Sequence, residues 1–247
     1  NQMIQSTKKN LVPLFVIIGG SILLLISFGI RHSMGLYLIP ISEHLNTGRE
    51  LFSFASALSV LMIGVGSPIF GALSDKYGSG RAAILGIILV ILSLLWMSNL
   101  QGSFDIIASQ TIFGLGAAGC GTAVVLGAVG RSVQQTNRTL ALGVVMAAGS
   151  FGQFIMVPAI NYLIQIFGWS QSLIILAFIG LIMIVFSFFM NYSQKSESSK
   201  IGTNQSIKEA IVEAFKSKSF NLLSLGFFVC GFHVTFVAVH LPAFVND

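Results

Sequence analysis

Charged side chains are scarce in this sequence. They make up 9% of its 247 residues, whereas a typical soluble domain carries about 25%. Only 8 residues are Asp or Glu, and 54% of the residues are hydrophobic. With a mean hydropathy of +0.87, the chain has too few polar groups to cover a surface that faces water. The composition therefore excludes a soluble domain and indicates an integral membrane protein.

Cysteine is also rare, and its scarcity excludes several kinds of site. Cys120 and Cys230 both lie inside apolar runs, so we expect neither a disulfide framework nor a metal site. The sequence contains no nucleophile paired with a base and no phosphate-binding glycine loop, so we expect no cofactor and no enzymatic activity. The basic residues are spread one or two per loop, which is typical of contact with a lipid bilayer and argues against a nucleic-acid partner.

Seven long apolar runs occupy most of the chain. A membrane-spanning helix needs roughly 20 apolar residues, and each run approaches or exceeds that length. The predicted fold class is therefore an all-α membrane protein. The predicted spans are Leu11–Ile39, Leu51–Leu73, Ala82–Leu100, Phe104–Gly130, Leu140–Ile164, Gln171–Met190 and Phe220–Phe244.

These spans divide the chain into four predicted regions. They are an N-terminal tail (1–10), a six-helix transmembrane bundle (11–190), a linker (191–219) and a seventh transmembrane helix (220–244). The linker begins Ser-rich and charged, and then places Ile207, Ile211 and Phe215 on one helical face. We expect its second part to form a short amphipathic helix on the membrane surface.

The basic residues predict how the chain is oriented in the membrane. If the N-terminus is cytoplasmic, eleven of the 13 Lys and Arg residues fall on the cytoplasmic side, and only Arg49 falls in an outer loop. Cytoplasmic loops of membrane proteins carry this excess of Lys and Arg. We therefore expect a multi-pass protein of the inner (plasma) membrane with a cytoplasmic N-terminus.

The first cytoplasmic loop carries the most specific motif. It reads "GALSDKYGSGRAAILG" and resembles the loop signature of the major facilitator superfamily, although Gly80 stands where that family often has a second basic residue. The residues that match the signature are Gly71, Asp75, Lys76, Gly78 and Arg81.

Each part of this motif has a physical reading. Gly71 would let another helix approach closely, and Gly78 would permit a tight turn between two helices. Asp75 would pair with a basic residue, for which Arg131 at the inner end of the fourth span is the candidate. We expect Asp75, Lys76, Arg81 and Arg131 to form a charge cluster that gates conformational change.

A narrower resemblance extends over residues 10 to 247. The segments "SFGIRHSMGLYLIPISEHL", "AVVLGAVGRSV", "LALGVVMAAGSFGQFIMVP" and "LGFFVCGFHVTFVAVHLPAF" are similar to the bacterial monocarboxylate and oxalate–formate porters of that superfamily. The resemblance implies a twelve-span carrier of small carboxylate anions that works by proton symport or anion exchange. The chain would then be an N-terminal half plus the seventh span, and the remaining C-terminal spans would be needed to complete the carrier.

Arg31 is the leading candidate for the substrate site. It lies inside the first predicted span, and Glu43, Glu50 and Asp105 are confined to the outer ends of spans. A charge at the centre of a bilayer costs about 2.5–3.5 kcal/mol on insertion scales, so Arg31 needs a partner. We expect a carboxylate substrate to be that partner, because a guanidinium binds a carboxylate through two parallel hydrogen bonds. There are two alternatives. In one, Arg31 pairs with an acidic residue in further spans, and in the other its side chain snorkels to the membrane interface.

Other polar residues in the spans are weaker candidates. His32 follows Arg31, and Phe28, Arg31, His32 and Gly35 share one helical face. His233 and His240 share a face of the seventh span, and Gln153 lies in the fifth. The predicted substrate-binding residues are Arg31, His32, Gln153, His233 and His240. One departure from the superfamily matters, because Gln110 stands in "SQTIFGLGAAG" where an arginine is usual.

The sequence patterns leave two other functions open. The chain could belong to a carrier of another solute, such as a drug or a sugar. It could also belong to a membrane receptor that binds an anion without moving it. Because Arg31 has no counter-charge within the spans, an anionic substrate is favoured over a cationic drug. A measurement of flux distinguishes a carrier from a receptor.

Overall fold

The computed structural model describes residues 2–191 and 216–246, and these are helical almost throughout. Together they form one helical bundle with a further helix against its side. In chain order the helices are α1 (Gln2–Ser33), α2 (Leu38–His44), α3 (Arg49–Tyr77), α4 (Ser79–Met97), α5 (Ser103–Gly119), α6 (Thr122–Ser132), α7 (Arg138–Met190) and α8 (Lys218–Asn246), with a 3₁₀ helix at Met34–Tyr37.

The first span is not the uninterrupted helix that the sequence predicted. It consists of α1, the 3₁₀ helix and α2, and it reaches His44. Pro40 explains the change, because a proline lacks an N–H and its ring clashes with the carbonyl four residues earlier, which is that of Leu36. The tighter 3₁₀ turn at Leu36 avoids that clash. At the other end, the predicted tail is helical from Gln2, in a stretch without Pro or Gly up to Pro13.

Helix α7 is long enough for two membrane crossings. Its apolar segment, Arg138–Asn191, is 54 residues long, so it would extend about 80 Å if straight, whereas the hydrocarbon core is about 30 Å thick. Gly168 has φ 79° and ψ 167°, which bends the chain between the two halves. The described residues thus hold six helical segments long and apolar enough to span a membrane, and one of them is long enough to cross it twice.

Small residues set the distances between the packed helices. Helix α1 packs against α7, while α4 and α3 both pack against α5. The sequence "GLGAAGCG" lies at the α4–α5 contact. A Cβ placed on Gly86 would lie 2.7 Å from the Gly116 carbonyl oxygen and from the Gly119 Cα. Only glycine permits this approach.

Helix α8 crosses the first span at one point. Gly35, in the 3₁₀ helix, faces the backbone of Ala238 so closely that a Cβ there would overlap the Ala238 carbonyl oxygen. Near this crossing Thr235, Ala238, Val239 and His240 are partly buried, whereas the rest of the described part of α8 is exposed. The predicted linker falls mainly on residues 192–215, which lie outside the described residues, as does nearly all of the expected amphipathic helix.

Candidate functional site

Arg31 lies in the last turn of α1, just before the 3₁₀ helix. Its side chain is only partly exposed, and among the described residues it has no hydrogen-bond or ion-pair partner. The sequence expected an uncompensated cation inside this span, and the geometry of the described chain agrees.

The larger cavity beside Arg31 has a volume of about 50 Å³. Helices α1, α3, α5 and α8 all contribute to its wall, together with the start of the 3₁₀ helix. Apolar side chains such as Met34 and Phe113 form part of the lining, and no acidic residue within 2–191 or 216–246 does. The polar lining residues are Arg31, His32, Ser56, Ser59, Gln110 and Thr235.

A second cavity, of about 30 Å³, also has Arg31 in its wall. Apart from Arg31, its polar lining comes from Ser27, Ser67 and Thr122, and no acidic residue of the described part of the chain lines it. Arg31 is therefore shared by two cavities, and among the described residues it is the only Lys or Arg in the wall of either.

The structure brings together only part of the predicted substrate-binding set. Arg31 and His32 both line the larger cavity. Gln153 is partly buried in α7 but lines neither cavity. His233 is exposed, and His240 packs against Phe236 with ring centroids 5.0 Å apart and ring planes tilted by 41°. Both histidines lie away from the α8 face that carries Thr235, Ala238 and Val239, so they do not reach this cavity.

Several lining residues were not singled out by any sequence pattern. Ser56 and Ser59 lie in α3, and Thr235 lies in α8. Gln110 was noted only as a departure from a family position. The available signal was weak, because serine and threonine in membrane helices usually contribute to helix packing.

Two contacts hold the segment that follows Arg31. The Tyr37 hydroxyl and Ser172 Oγ are 2.9 Å apart, which ties the 3₁₀ helix to α7. His44 Nε2 lies 3.3 Å from the Leu100 carbonyl oxygen, and its ring packs on Trp169 with centroids 4.9 Å apart. We call this side of the bundle the Trp169 end. These contacts fix the direction in which the first span leaves Arg31.

The opposite side, which we call the Asp75 end, carries the charged motif. Arg131 Nη1 donates to Asp75 Oδ1 at 2.6 Å, so Arg131 is the partner that the sequence suggested. Arg131 Nη2 also donates to Ser79 Oγ at 2.7 Å and to Ser74 Oγ at 3.1 Å. One guanidinium thereby joins the end of α6 to the end of α3 and the start of α4. Lys76 lies over the ring of Tyr77, 5.1 Å from its centroid, and Arg81 is exposed.

The glycines of the motif differ in their roles. Gly78 has φ 101°, a conformation that favours glycine, and it forms the turn between α3 and α4 as expected. The expected close approach at Gly71 is absent from the described residues, because a Cβ there would have no atom within 4 Å. Gly71 lies instead on a partly open face of α3.

Gly80 has a structural reason for departing from the family pattern. A Cβ at this position would lie 2.7 Å from the Ser187 carbonyl oxygen and would also meet the side chain of Asn191. The start of α4 packs directly on the end of α7 here. A basic side chain would not fit without moving one of these helices.

Comparison with known proteins gives the family. The family model described as Major Facilitator Superfamily matches residues 18–247. The chain belongs to the major facilitator superfamily. It is a multi-pass, all-α membrane protein of a family of carriers, and membership of this family indicates that it is not an enzyme. The expectations of fold class and of a non-enzymatic chain are confirmed.

Individual relatives are more distant. Monocarboxylate transporter 11 of Mus musculus is 28% identical over 161 residues, which is 63% of this chain and 35% of the relative. The MFS-type transporter pytF of Aspergillus terreus is 24% identical over 237 residues, which is 94% of this chain and 78% of the relative. The chain therefore spans about a third of the mouse relative's length. The bacterial branch expected from the sequence stays a prediction.

Proposed function

We propose that this chain contributes the anion-binding part of a secondary carrier for small monocarboxylates, with Arg31 binding the carboxylate. The single observation that carries the proposal is Arg31 itself, which lines two cavities within a membrane span and has no anionic partner in the described chain. The name of the mouse relative, monocarboxylate transporter 11, supports the same substrate class.

The energetics favour an anion as the missing partner. An arginine at the bilayer centre costs about 2.5–3.5 kcal/mol on insertion scales, and a carboxylate that accepts two hydrogen bonds offsets this cost. A cationic drug would meet repulsion at Arg31, and a sugar would leave the positive charge uncompensated. His32 lines the same cavity and is the adjacent group available for a coupled proton.

The two cavities suggest how the anion passes Arg31. The larger cavity includes residues of α8, whereas the smaller one includes Thr122 at the start of α6, nearer the Asp75 end. In the proposed orientation, the protein lies in the plasma membrane with its N-terminus in the cytoplasm. The Asp75 end then also faces the cytoplasm. Alternating access would then expose Arg31 first through one cavity and then through the other.

The proposal is tested by flux in liposomes that contain the purified intact gene product. We expect accumulation of a labelled short-chain monocarboxylate, driven by a pH gradient or by an opposed anion gradient. The matching uncharged amide should not accumulate. Replacement of Arg138, an exposed arginine outside both cavities, by Ala is the matched control and should leave uptake unchanged. Binding of the acid without uptake under either gradient would identify a receptor.

We further propose that the Asp75–Arg131 pair gates the carrier without contributing to substrate binding. The two side chains are 67% and 41% exposed, and such exposed pairs contribute only about 0–1 kcal/mol. That amount is too small to decide whether the protein folds, but it shifts an equilibrium between two end states by up to about fivefold.

For Asp75→Asn we therefore expect a change in rate and little change in affinity. Turnover should fall about two- to fivefold, while the Kd for the acid stays within about twofold of wild type. Uptake rates and equilibrium binding on the same preparation measure the two effects. Glu43→Gln removes an exposed acid from the Trp169 end and serves as the control. Normal turnover in Asp75→Asn would contradict the gating role.

A further inference from the structure

His44 lies where three parts of the bundle meet at the Trp169 end. It is the last residue of α2, and its ring packs on that of Trp169 with centroids 4.9 Å apart and planes tilted by 54°. Its Nε2 lies 3.3 Å from the carbonyl oxygen of Leu100, in the turn between α4 and α5. His44 is exposed, so protons from the aqueous phase reach it. One titratable side chain therefore joins the end of the first span to α7 and to this turn.

The surfaces that His44 contacts are themselves tied together. Trp169 directly follows Gly168, whose φ of 79° bends α7. The next residue, Ser170, donates from Oγ to the Ser98 carbonyl oxygen at 2.5 Å, which holds α7 against the turn between α4 and α5. His44 therefore packs on a preformed seat.

The segment that His44 holds also meets α8. Gly35 faces the backbone of Ala238 at the crossing of the first span with α8, and Ala238 lines the larger cavity. His44 lies at the far end of the same segment, beyond the 3₁₀ helix and Pro40. The contacts of His44 therefore bear on how the first span meets α8.

Protonation strengthens both contacts of His44. A neutral imidazole has one N–H, whereas an imidazolium has two and donates to the Leu100 carbonyl oxygen from Nε2 in every case. A positive ring is also attracted to the face of an indole, which favours the contact with Trp169 by about two- to fivefold. The added attraction is present at low pH and is lost as the pH rises through the range in which histidines titrate, roughly pH 5–8.

Other ionisable groups at this end do not engage His44. They are Glu43 on α2, Arg49 and Glu50 at the start of α3, Asp105 at the start of α5 and His240 on α8. No ion pair joins His44 to Glu43, Glu50 or Asp105 in the described part of the chain. Asp105 accepts instead from two backbone N–H groups and from Trp96 Nε1, and His240 packs on Phe236. Residues 88–97 of α4 and 163–172 of α7 contain no ionisable side chain.

We propose that His44 is a proton sensor that fixes the first span in its place against α8 when the aqueous phase at the Trp169 end is acidic. In the proposed orientation this end faces the cell exterior. The sensor is separate from the anion site, because His44 lines neither cavity. It acts on the conformation of the chain whichever solute is carried, so it does not depend on Arg31 binding a carboxylate.

Tryptophan fluorescence tests the contact itself, since an imidazolium that touches an indole quenches its emission. We expect the emission of the detergent-purified intact gene product to fall between about pH 7.5 and pH 5.5. His44→Gln, which keeps a donor for the Leu100 carbonyl oxygen, and Trp169→Leu should both abolish this change. Trp96→Phe is the matched control and should retain it, because Trp96 Nε1 donates to Asp105 and not to a histidine.

Hydrogen exchange tests the effect on the first span. Protection of residues 34–44, taken as the ratio of wild type to His44→Gln at the same pH, should be about two- to fivefold larger at pH 5.5 than at pH 7.5. A melting curve verifies that each variant folds, and if His44→Gln does not fold, Trp169→Leu replaces it in the same ratio.

Two results would overturn the sensor. One is a pH-dependent emission change that persists in His44→Gln, and the other is a protection ratio that is the same at both pH values. Both measurements are made without a substrate, so they leave the test of anion transport untouched. Failure of anion uptake would in turn leave the sensor standing.

Discussion

Arg31→Ala should weaken carboxylate binding roughly tenfold to a hundredfold. Hydrogen bonds to charged groups contribute about 1.5–3 kcal/mol, and each 1.4 kcal/mol corresponds to a factor of ten. Arg31→Lys keeps the charge but loses the planar arrangement of donors, so it should restore only part of the affinity. Binding of a short-chain acid and of its amide to the detergent-purified intact gene product measures the effect. The amide should bind wild type poorly and lose little more in Arg31→Ala.

A structural role for Arg31 predicts a different result. If Arg31 paired with a buried acid elsewhere, Arg31→Ala would leave that acid unpaired and lower the melting temperature. Neutralising the acid would then rescue folding. The substrate role would therefore be rejected if Arg31→Ala bound the acid as tightly as wild type but had a much lower melting temperature. The matched control is Arg138→Ala, which removes the same charge from an exposed site outside both cavities.

Gly152→Ala should destabilise the bundle strongly. Gly152 is one of the points where α7 meets α1, and a Cβ there would lie 2.6 Å from the Leu25 carbonyl carbon and 2.7 Å from its Cα. Because these are backbone atoms, the two helices must separate, and overpacking of this kind costs about 1–3 kcal/mol or more. We expect a clearly lower melting temperature in detergent and less folded protein in the membrane.

Gly143→Ala provides the matched control on the same helix. A Cβ at Gly143 would have no described atom within 4 Å. Since alanine is favoured over glycine in helix interiors by about 0.5–1 kcal/mol, this variant should melt at the same temperature as wild type or slightly higher. Equal melting temperatures for Gly152→Ala and Gly143→Ala would show that α1 and α7 are not in close backbone contact at Gly152.

The sequence predicted local features well. It predicted poorly those features that depend on how each helix is rotated about its axis. It indicated the bend near Gly168, because the apolar runs on either side are each long enough to cross a membrane. It suggested that Asp75 pairs with Arg131, since both residues fall at the same ends of their spans. It predicted one helical span through Leu36, where Pro40 imposes a 3₁₀ turn. It also expected close packing at Gly71, which is absent from the described chain.

The candidate site also contains residues that the sequence identified and residues that it missed. Arg31 stood out because a cation in an apolar run is costly wherever the helix points. Ser56 and Gln110 did not stand out, because a neutral polar residue is tolerated both in a helix contact and in a cavity. His233 was chosen as a candidate for its chemistry, yet α8 meets the cavity through Thr235 and Val239.

The sequence by itself therefore determined that this is an all-α membrane protein, where its apolar runs lie, and that one cation inside them needs a partner. These properties depend on the hydropathy and charge of short stretches of chain. Only the tertiary structure decided which side chains meet Arg31. This depends on how each helix is rotated about its axis and on where it crosses its neighbours. Both are set by contacts between residues far apart in the chain, such as Gly35 with Ala238 and Gly114 with Ser59.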